Sequence, residues 1–484
     1  MASKKYIITS AQACYHINED GDELPWGVPK NYRGRAKAIP NYNFLNGLDR
    51  IAKDYGAEMI IQPIAGKNVK EDILHEDLQN RKDIFWGDKR KLNDNIQIRD
   101  IVVPPQNVDP ATGKSELVGE YNSSLIFPHT KQRFFPVPVF NADLPRYIYT
   151  SGAITMPNYN VANHRGDTAE RNHVFGALLL EVLDDKFYNI TNLRALKNGK
   201  FVDRGKLYDG NLKPKKIEVD FMVVGDYHFG SHDEKAVKAT YEMIEKFHPK
   251  RIFLHDFFDG HSINHHEKDN SLMRVREYKR GRLSLEEELK SDYEEIIKLS
   301  KIARKNTEIY VVSSNHHAFL PRYINEKNWI NGDLWNADIC SYLFNQATLL
   351  DIPEKEIDDA AYLIEEGMKR FGQIPSNIKF LRLKDNFRRF GIQLASHGDK
   401  GSNGSRGGKA KSKATIGGGK SVTGHIHTME IYGYTYVIGT NGLLDAPHTA
   451  GFGNACIAAN CLGYSNGLMQ MLPIIEGEWM NFKL

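Results

Sequence analysis

The stretch Val219-Asp220-Phe221-Met222-Val223-Val224, followed at once by Gly225-Asp226-Tyr227-His228, decides how the rest of the chain is read. Its apolar run reads as a strand, and Asp226 and His228 fall on the loop that leaves it. Beyond it the pattern repeats as helix 234–247, strand 251–254, helix 284–305 and strand 308–312. Ala236, Val237, Tyr241, Ile244 and Phe247 mark the first helix. The second opens on Ser284, three residues before Glu287 as in a capping box, and Leu285, Leu289, Tyr293, Ile296 and Ile297 share one of its faces. Strands alternating with helices predict a layered α/β sandwich.

Four more islands follow Asp226-Tyr227-His228. They are His255-Asp256-Phe257-Phe258-Asp259, Ser314-Asn315-His316-His317, Ser396-His397-Gly398 and Gly424-His425-Ile426-His427. A lone D-x-H arises by chance, and a single histidine is more often structural than a ligand; five ordered islands are harder to dismiss. Asp226, Asp256, Asn315 and His397 each follow an expected strand, at the end where open α/β sheets collect ligand sites, so a sheet would bring them together.

Two divalent ions need a bridging carboxylate and a mixed nitrogen and oxygen shell on each side. Asp226, His228 and His427 would hold one ion, and Asn315, His397 and His425 the other. Asp256 would bridge them, with a shared water or hydroxide completing the pair. His425 and His427 lie two apart, and a turn after Gly424 can splay them to neighbouring ions. His316 is placed to donate a proton to a leaving oxygen. Asp259 is expected to orient a neighbouring histidine or the backbone, and His317 to stand beside it in support.

These motifs resemble the calcineurin-like metallophosphoesterase superfamily, whose pattern runs D-x-H, G-D-x-x-D, G-N-H-(D/E), H and G-H-x-H. The resemblance covers about residues 217–484. It implies a four-layer α/β/β/α sandwich, to which residues 1–210 would add an N-terminal α/β accessory domain. His255 stands where the family usually has glycine, and Ser314 and His317 flank Asn315-His316 in place of glycine and an acid. No ligand position is lost. Within the superfamily, Asp256-Phe257-Phe258-Asp259-Gly260 running into Asn264-His265-His266-Glu267 looks most like the DNA nucleases, of SbcD type and phage-encoded. That implies manganese as the metal, with zinc, iron or magnesium open, and DNA as the partner.

The run from Gly398 to Lys413 inserts a glycine-rich basic strip between two ligand motifs. Lys400, Arg406, Lys409, Lys411 and Lys413 would clamp a phosphate backbone there, against the alternative of a solvated mobile loop. His265 and His266 would touch substrate or line a surface loop. His164, Arg165, Asp167, Glu170, Arg171 and His173 read as a helix start and its turn ahead of the apolar run 174–180, rather than a second functional patch.

With 484 residues the chain exceeds what one hydrophobic core usually serves, and the short polar stretch 202–216 reads as the domain boundary. Before it, a helix with Phe44, Leu45, Leu48, Ile51, Ala52 and Tyr55 leads into a strand at 57–61, an α/β unit, and a hairpin is expected near Pro136-Val137-Pro138-Val139. Residues 322–388 read as an irregular, partly helical insertion, with a cap or an oligomer contact as open as mere filling, and a homo-oligomer is the expected assembly. From Phe390 onward strands are expected, among them 392–394 and 431–438. No apolar run nears the roughly 20 residues of a membrane helix, the first residues lack a leader pattern, and four scattered cysteines fit free thiols in a cytoplasm, the host's if the chain is phage-encoded. A net charge of +3 does not by itself indicate nucleic acid. The expected activity is a two-metal phosphodiesterase acting on DNA. The rivals are a phosphatase or cyclic-nucleotide phosphodiesterase on small substrates, and a DNA-binding scaffold whose site is inactive.

Overall fold

The computed structural model describes residues 3–14, 38–64, 74–140, 144–159, 161, 163–349, 359–416, 419–444 and 453–482. The chain is a mixed α/β protein with several sheets. The strand Val219–Val224 lies inside a six-stranded sheet, flanked by Arg251–Leu254 in parallel and Ala458–Tyr464 in antiparallel register. Glu308–Val311 and Ile378–Phe380 extend the parallel side, and Met469–Ile474 closes the other edge. Side chains alternate along it as a strand buried on both faces requires. Met222 and Val224 pack with the helices Glu234–Phe247 and Leu285–Ile302, while Phe221 and Val223 join a core shared with a second large sheet.

That second sheet has ten strands and is built from both halves of the chain. Ile392–Gln393, Lys420–Thr423, Tyr434–Val437 and Glu430–Tyr432 continue directly into Gln132–Val137, because Ile431 pairs with Phe134 and Tyr432 with Arg133. Arg146–Ser151, Ser124–Phe127, Ile96–Arg99 and Lys89–Asn93 complete it. Sheet hydrogen bonding therefore crosses the boundary expected near 202–216. Part of that polar stretch forms a small sheet of Phe201–Asp203, Lys206–Tyr208 and Lys215–Lys216.

The first residues make a four-stranded sheet in which Lys4–Gln12 pairs with Glu58–Ile64 in parallel and with Gly176–Val182 in antiparallel register. The helix Tyr42–Tyr55 covers one face, capped by Asn41 and ended at Gly56, whose φ of 60° suits glycine. This is the expected α/β unit, and the hairpin near Pro136 is present between Gln132–Val137 and Arg146–Ser151. The polar group at 164–173 is a helix, His164–Arg171, and the turn after it: His173 faces Tyr159 Oη at 2.9 Å and Thr155 O at 2.9 Å.

Two expectations need correcting. The stretch 431–438 is not one strand but a hairpin that reverses at Gly433, where φ is +61°. The insertion 322–388 is no separate appendage: its helix Ala360–Lys369 packs into the core with Leu285–Ile302, and Ile378–Phe380 is an edge strand of the six-stranded sheet. Residues 350–358 lie outside the described residues. Among the described residues no helix is long and apolar enough to cross a membrane.

Candidate metal centre

The loops leaving Val219–Val224 and Arg251–Leu254 run side by side, with Tyr227 N donating to His255 O and His228 N to Asp256 O, each at 2.8 Å. Asp226 is clamped from the other side, its N donating to Gly439 O and its O accepting from Asn441 N at 2.7 Å and Thr440 Oγ1 at 2.8 Å. Asn315 and His316 follow the third strand, Glu308–Val311. His397, His425 and His427 do not come from this sheet, although His397 was expected to share one with Asp226, Asp256 and Asn315. They leave Ile392–Gln393 and Lys420–Thr423 of the ten-stranded sheet, joined by a bond from Gly424 N to His397 O at 2.8 Å. The site sits where two sheets present strand ends to one another.

Close approach there depends on glycine and on unusual backbone. A Cβ on Gly424 would lie 1.9 Å from Asp226 Oδ1. His228, Asp256, His425 and His427 all adopt positive φ, of 47°, 43°, 81° and 55°. For residues other than glycine such conformations cost about 1–3 kcal/mol each and gather at functional sites. Here they turn four expected ligands inward.

Asp226, His228, Asp256 and His427 offer ligand atoms that all lie within 4.8 Å of one another, and could hold a metal ion. His228 Nε2 faces His427 Nε2 at 3.0 Å, and His427 Nε2 is 3.3 Å from Asp226 Oδ2. His397 Nε2 lies 3.0 Å from Asp256 Oδ2, and His425 Nδ1 is 3.1 Å from Asn315 Oδ1. Asp226 Oδ1 and Asp256 Oδ1 are buried without a hydrogen-bond partner. Buried carboxylates left open in this way are costly unless a cation meets them, so the donor set fits a bound metal.

The electrostatics divide these groups, with His228 and His397 raised and His425 and His427 lowered. Burial raises Asp226 to about 6, aided by Asp256 and opposed by His397. Burial would also raise Asp256, but His397, His316 and His228 outweigh it and hold the carboxylate well below its usual range. Burial disfavours charge on His228, yet the bond to Asp259 and the charges of Asp256, Asp259 and Asp226 raise it to about 9. His427 is pushed well below the ordinary imidazole range by burial and by His228, and burial lowers His425 to about 4. A neutral imidazole is the form that ligates a metal.

Asp259 occupies the orienting position expected of it. Its Oδ1 accepts from His228 Nδ1 at 3.0 Å, its Oδ2 from Ser231 Oγ at 2.7 Å, and its carbonyl from His316 Nδ1 at 2.6 Å. Since a carbonyl only accepts, His316 carries a proton on Nδ1 and has Nε2 free for a substrate. His317 is different. It is fully buried, neither ring nitrogen has a hydrogen-bond partner, and burial lowers it to about 3.

His255, not expected as a ligand, forms a group with Asp226 and His397, its Nδ1 3.3 Å from His397 Nδ1. Its place in the family motif, where glycine is usual, was the signal. His265 and His266 lie beside His316 through Phe319, whose ring is 4.8 Å from that of His265 and 4.9 Å from that of His316. His265 also lines a polar cavity of about 340 Å³. The basic strip is folded: Lys400 bridges to Arg406, and Ala410–Lys413 is a short helix held by Ala410 N to Glu430 Oε2 at 2.9 Å. Lys400, Arg406, Lys409 and Lys411 are exposed. Lys413 departs from the expected clamp, because its Nζ is buried against Thr423 Oγ1 at 3.1 Å and Gly424 O at 3.0 Å, and burial lowers it to about 8. It braces the turn that carries His425.

No protein-family model and no solved structure matches the chain. It is similar to Protein A1 of Escherichia phage T5, 27% identical over 467 residues that span 91% of this chain and 80% of that protein.

Proposed function

We propose that this chain is a two-metal phosphodiesterase that cleaves DNA, built as the four-layer sandwich of the calcineurin-like metallophosphoesterases. The observation that carries the reading is the convergence of Asp226, His228, Asp256 and His427 around carboxylate oxygens that have no protein partner. Asp226, His228 and His427 would hold one ion, Asn315, His397 and His425 the other, and Asp256 both. Bound there, the ions would acidify a shared water and neutralise charge on the phosphoryl oxygens.

The chain's own groups supply the rest. Asp259 holds His228 and His316 in place together, so that the proton donor and a ligand move as one unit. His316 Nε2 delivers a proton to the leaving oxygen when the ring is charged, and the Asp259 carboxylate lies 3.8 Å from its Nδ1. Lys400, Arg406, Lys409 and Lys411 would grip the phosphate backbone beside the site. Manganese suits the mixed imidazole, carboxylate and amide shell. Likeness to a phage protein supports a phage-encoded enzyme acting in the host cytoplasm.

Turnover of plasmid DNA, bis-p-nitrophenyl phosphate and p-nitrophenyl phosphate under Mn²⁺ tests this reading. The expected result is cleavage of DNA and of the diester, with the monoester poorer. Preference for the monoester would make the chain a phosphatase, and DNA binding with no turnover would make it a scaffold.

A further inference from the structure

Behind Asp259 lies a cavity of about 190 Å³, walled by the helix Leu285–Ile302 and by the loops bearing Gly230, His261 and Arg282. Asp292 lines it. This carboxylate is 0% exposed, and neither of its oxygens has a hydrogen-bond partner. Two of its wall residues, His261 and Glu288, offer ligand atoms within 4.8 Å of one another and of Asp259. His261 Nδ1 is 2.9 Å from Glu288 Oε1 and 3.4 Å from Asp259 Oδ2.

The neighbouring carboxylates are already engaged, which singles out Asp292. Glu288 accepts from the backbone N of His261 and of Ser262, each at 3.0 Å, and from Ser262 Oγ. Glu295, one turn further along the helix, accepts from Tyr227 Oη at 2.6 Å and from Tyr241 Oη. Arg282, the other cation on the cavity wall, donates to Ser231 Oγ at 2.6 Å. An ionised carboxylate buried without a partner is costly enough that it either keeps its proton or meets a cation.

We propose that this cavity binds a hydrated divalent cation, with Asp292 on one wall and His261 and Glu288 on the other. Small divalent ions keep several waters and bind through one or two carboxylates, and the cavity has room for those waters. The cation would brace the rear of Asp259, and through it His228 and His316, so Asp292 is a positioning residue. Binding in this cavity is independent of which substrate the main site takes.

Equilibrium titration with Mn²⁺, following the free-ion resonance, counts ions on the full chain for wild type, Asp292→Asn, Asp256→Asn and the double variant. The expected result is one ion fewer in Asp292→Asn than in wild type. Asp256→Asn should keep an ion that the added Asp292→Asn removes. Equal counts and affinities in wild type and Asp292→Asn would overturn the proposal and leave Asp292 as a protonated acid. Should Asp292→Asn fail to fold, Ser291→Lys sets an ammonium at the cavity mouth and should displace the same ion; an unchanged count there would overturn it equally. Loss of the Asp292-dependent ion alone, with Asp256→Asn binding as wild type, would count against the two-metal reading and not against this one.

Discussion

Two buried ionic clusters in this molecule differ in one respect. Around Asp203 every valence is used. Its oxygens accept from Arg204 Nε at 3.0 Å and Nη2 at 2.7 Å, from Gln470 Nε2 at 2.8 Å and from Tyr55 Oη, while Arg204 Nη1 donates to Met480 O at 2.7 Å. Around Asp226 and Asp256 oxygens stay open and two imidazole nitrogens confront each other. The first cluster ties the small sheet to the last strand and C-terminal segment and is complete as protein. The second is complete only with something added. A satisfied buried charge needs nothing beyond the protein, and an open one leaves room for a ligand.

Breaking the complete cluster should cost the most stability. Arg204→Met leaves Asp203 buried and uncompensated, an expected loss of about 3–5 kcal/mol seen as a lower urea midpoint, with Mn²⁺ binding by the folded fraction unchanged. Gly424→Ala attacks the open cluster through sterics alone. Its Cβ displaces Asp226, at about 1–3 kcal/mol, and the rise in melting temperature that Mn²⁺ gives wild type should shrink or vanish. Asp259→Asn keeps the shape and the carbonyl that holds His316 but weakens the side-chain hold on His228. Turnover should fall by about 10–100-fold with folding intact, and a change under twofold would mean the Asp259 carboxylate does not orient His228. The smallest effect belongs to the surface: replacing Lys400, Arg406 and Lys411 by alanine should lower the salt slope of DNA binding by about one for each phosphate no longer neutralised.

What could be read beforehand follows the range of the interactions. The helix Glu234–Phe247 and the strands Val219–Val224 and Arg251–Leu254 end where local periodicity placed them, and Ser284 caps its helix through Glu287 N at 3.2 Å. The convergence of Asp226, His228, Asp256 and His427 was legible because each island carries its own chemistry. The ten-stranded sheet was not, because Phe134 and Ile431 pair across almost 300 positions and nothing local records it. Lys413 in a Gly/Lys run looks solvated, and only its packing against Gly424 reveals a brace. Glu288, Asp292 and Glu295 sit on the buried face of a helix whose apolar stripe alone had been read, so their burial could not be seen from residue type.

Cleavage of linear DNA under Mn²⁺ by wild type and by Asp256→Asn, prepared alike and shown to melt alike without metal, tests the central claim most directly. Wild type should cut, and the variant should lose at least about a thousand-fold in rate, near 4 kcal/mol in barrier. Cleavage by the variant at the wild-type rate would contradict the account.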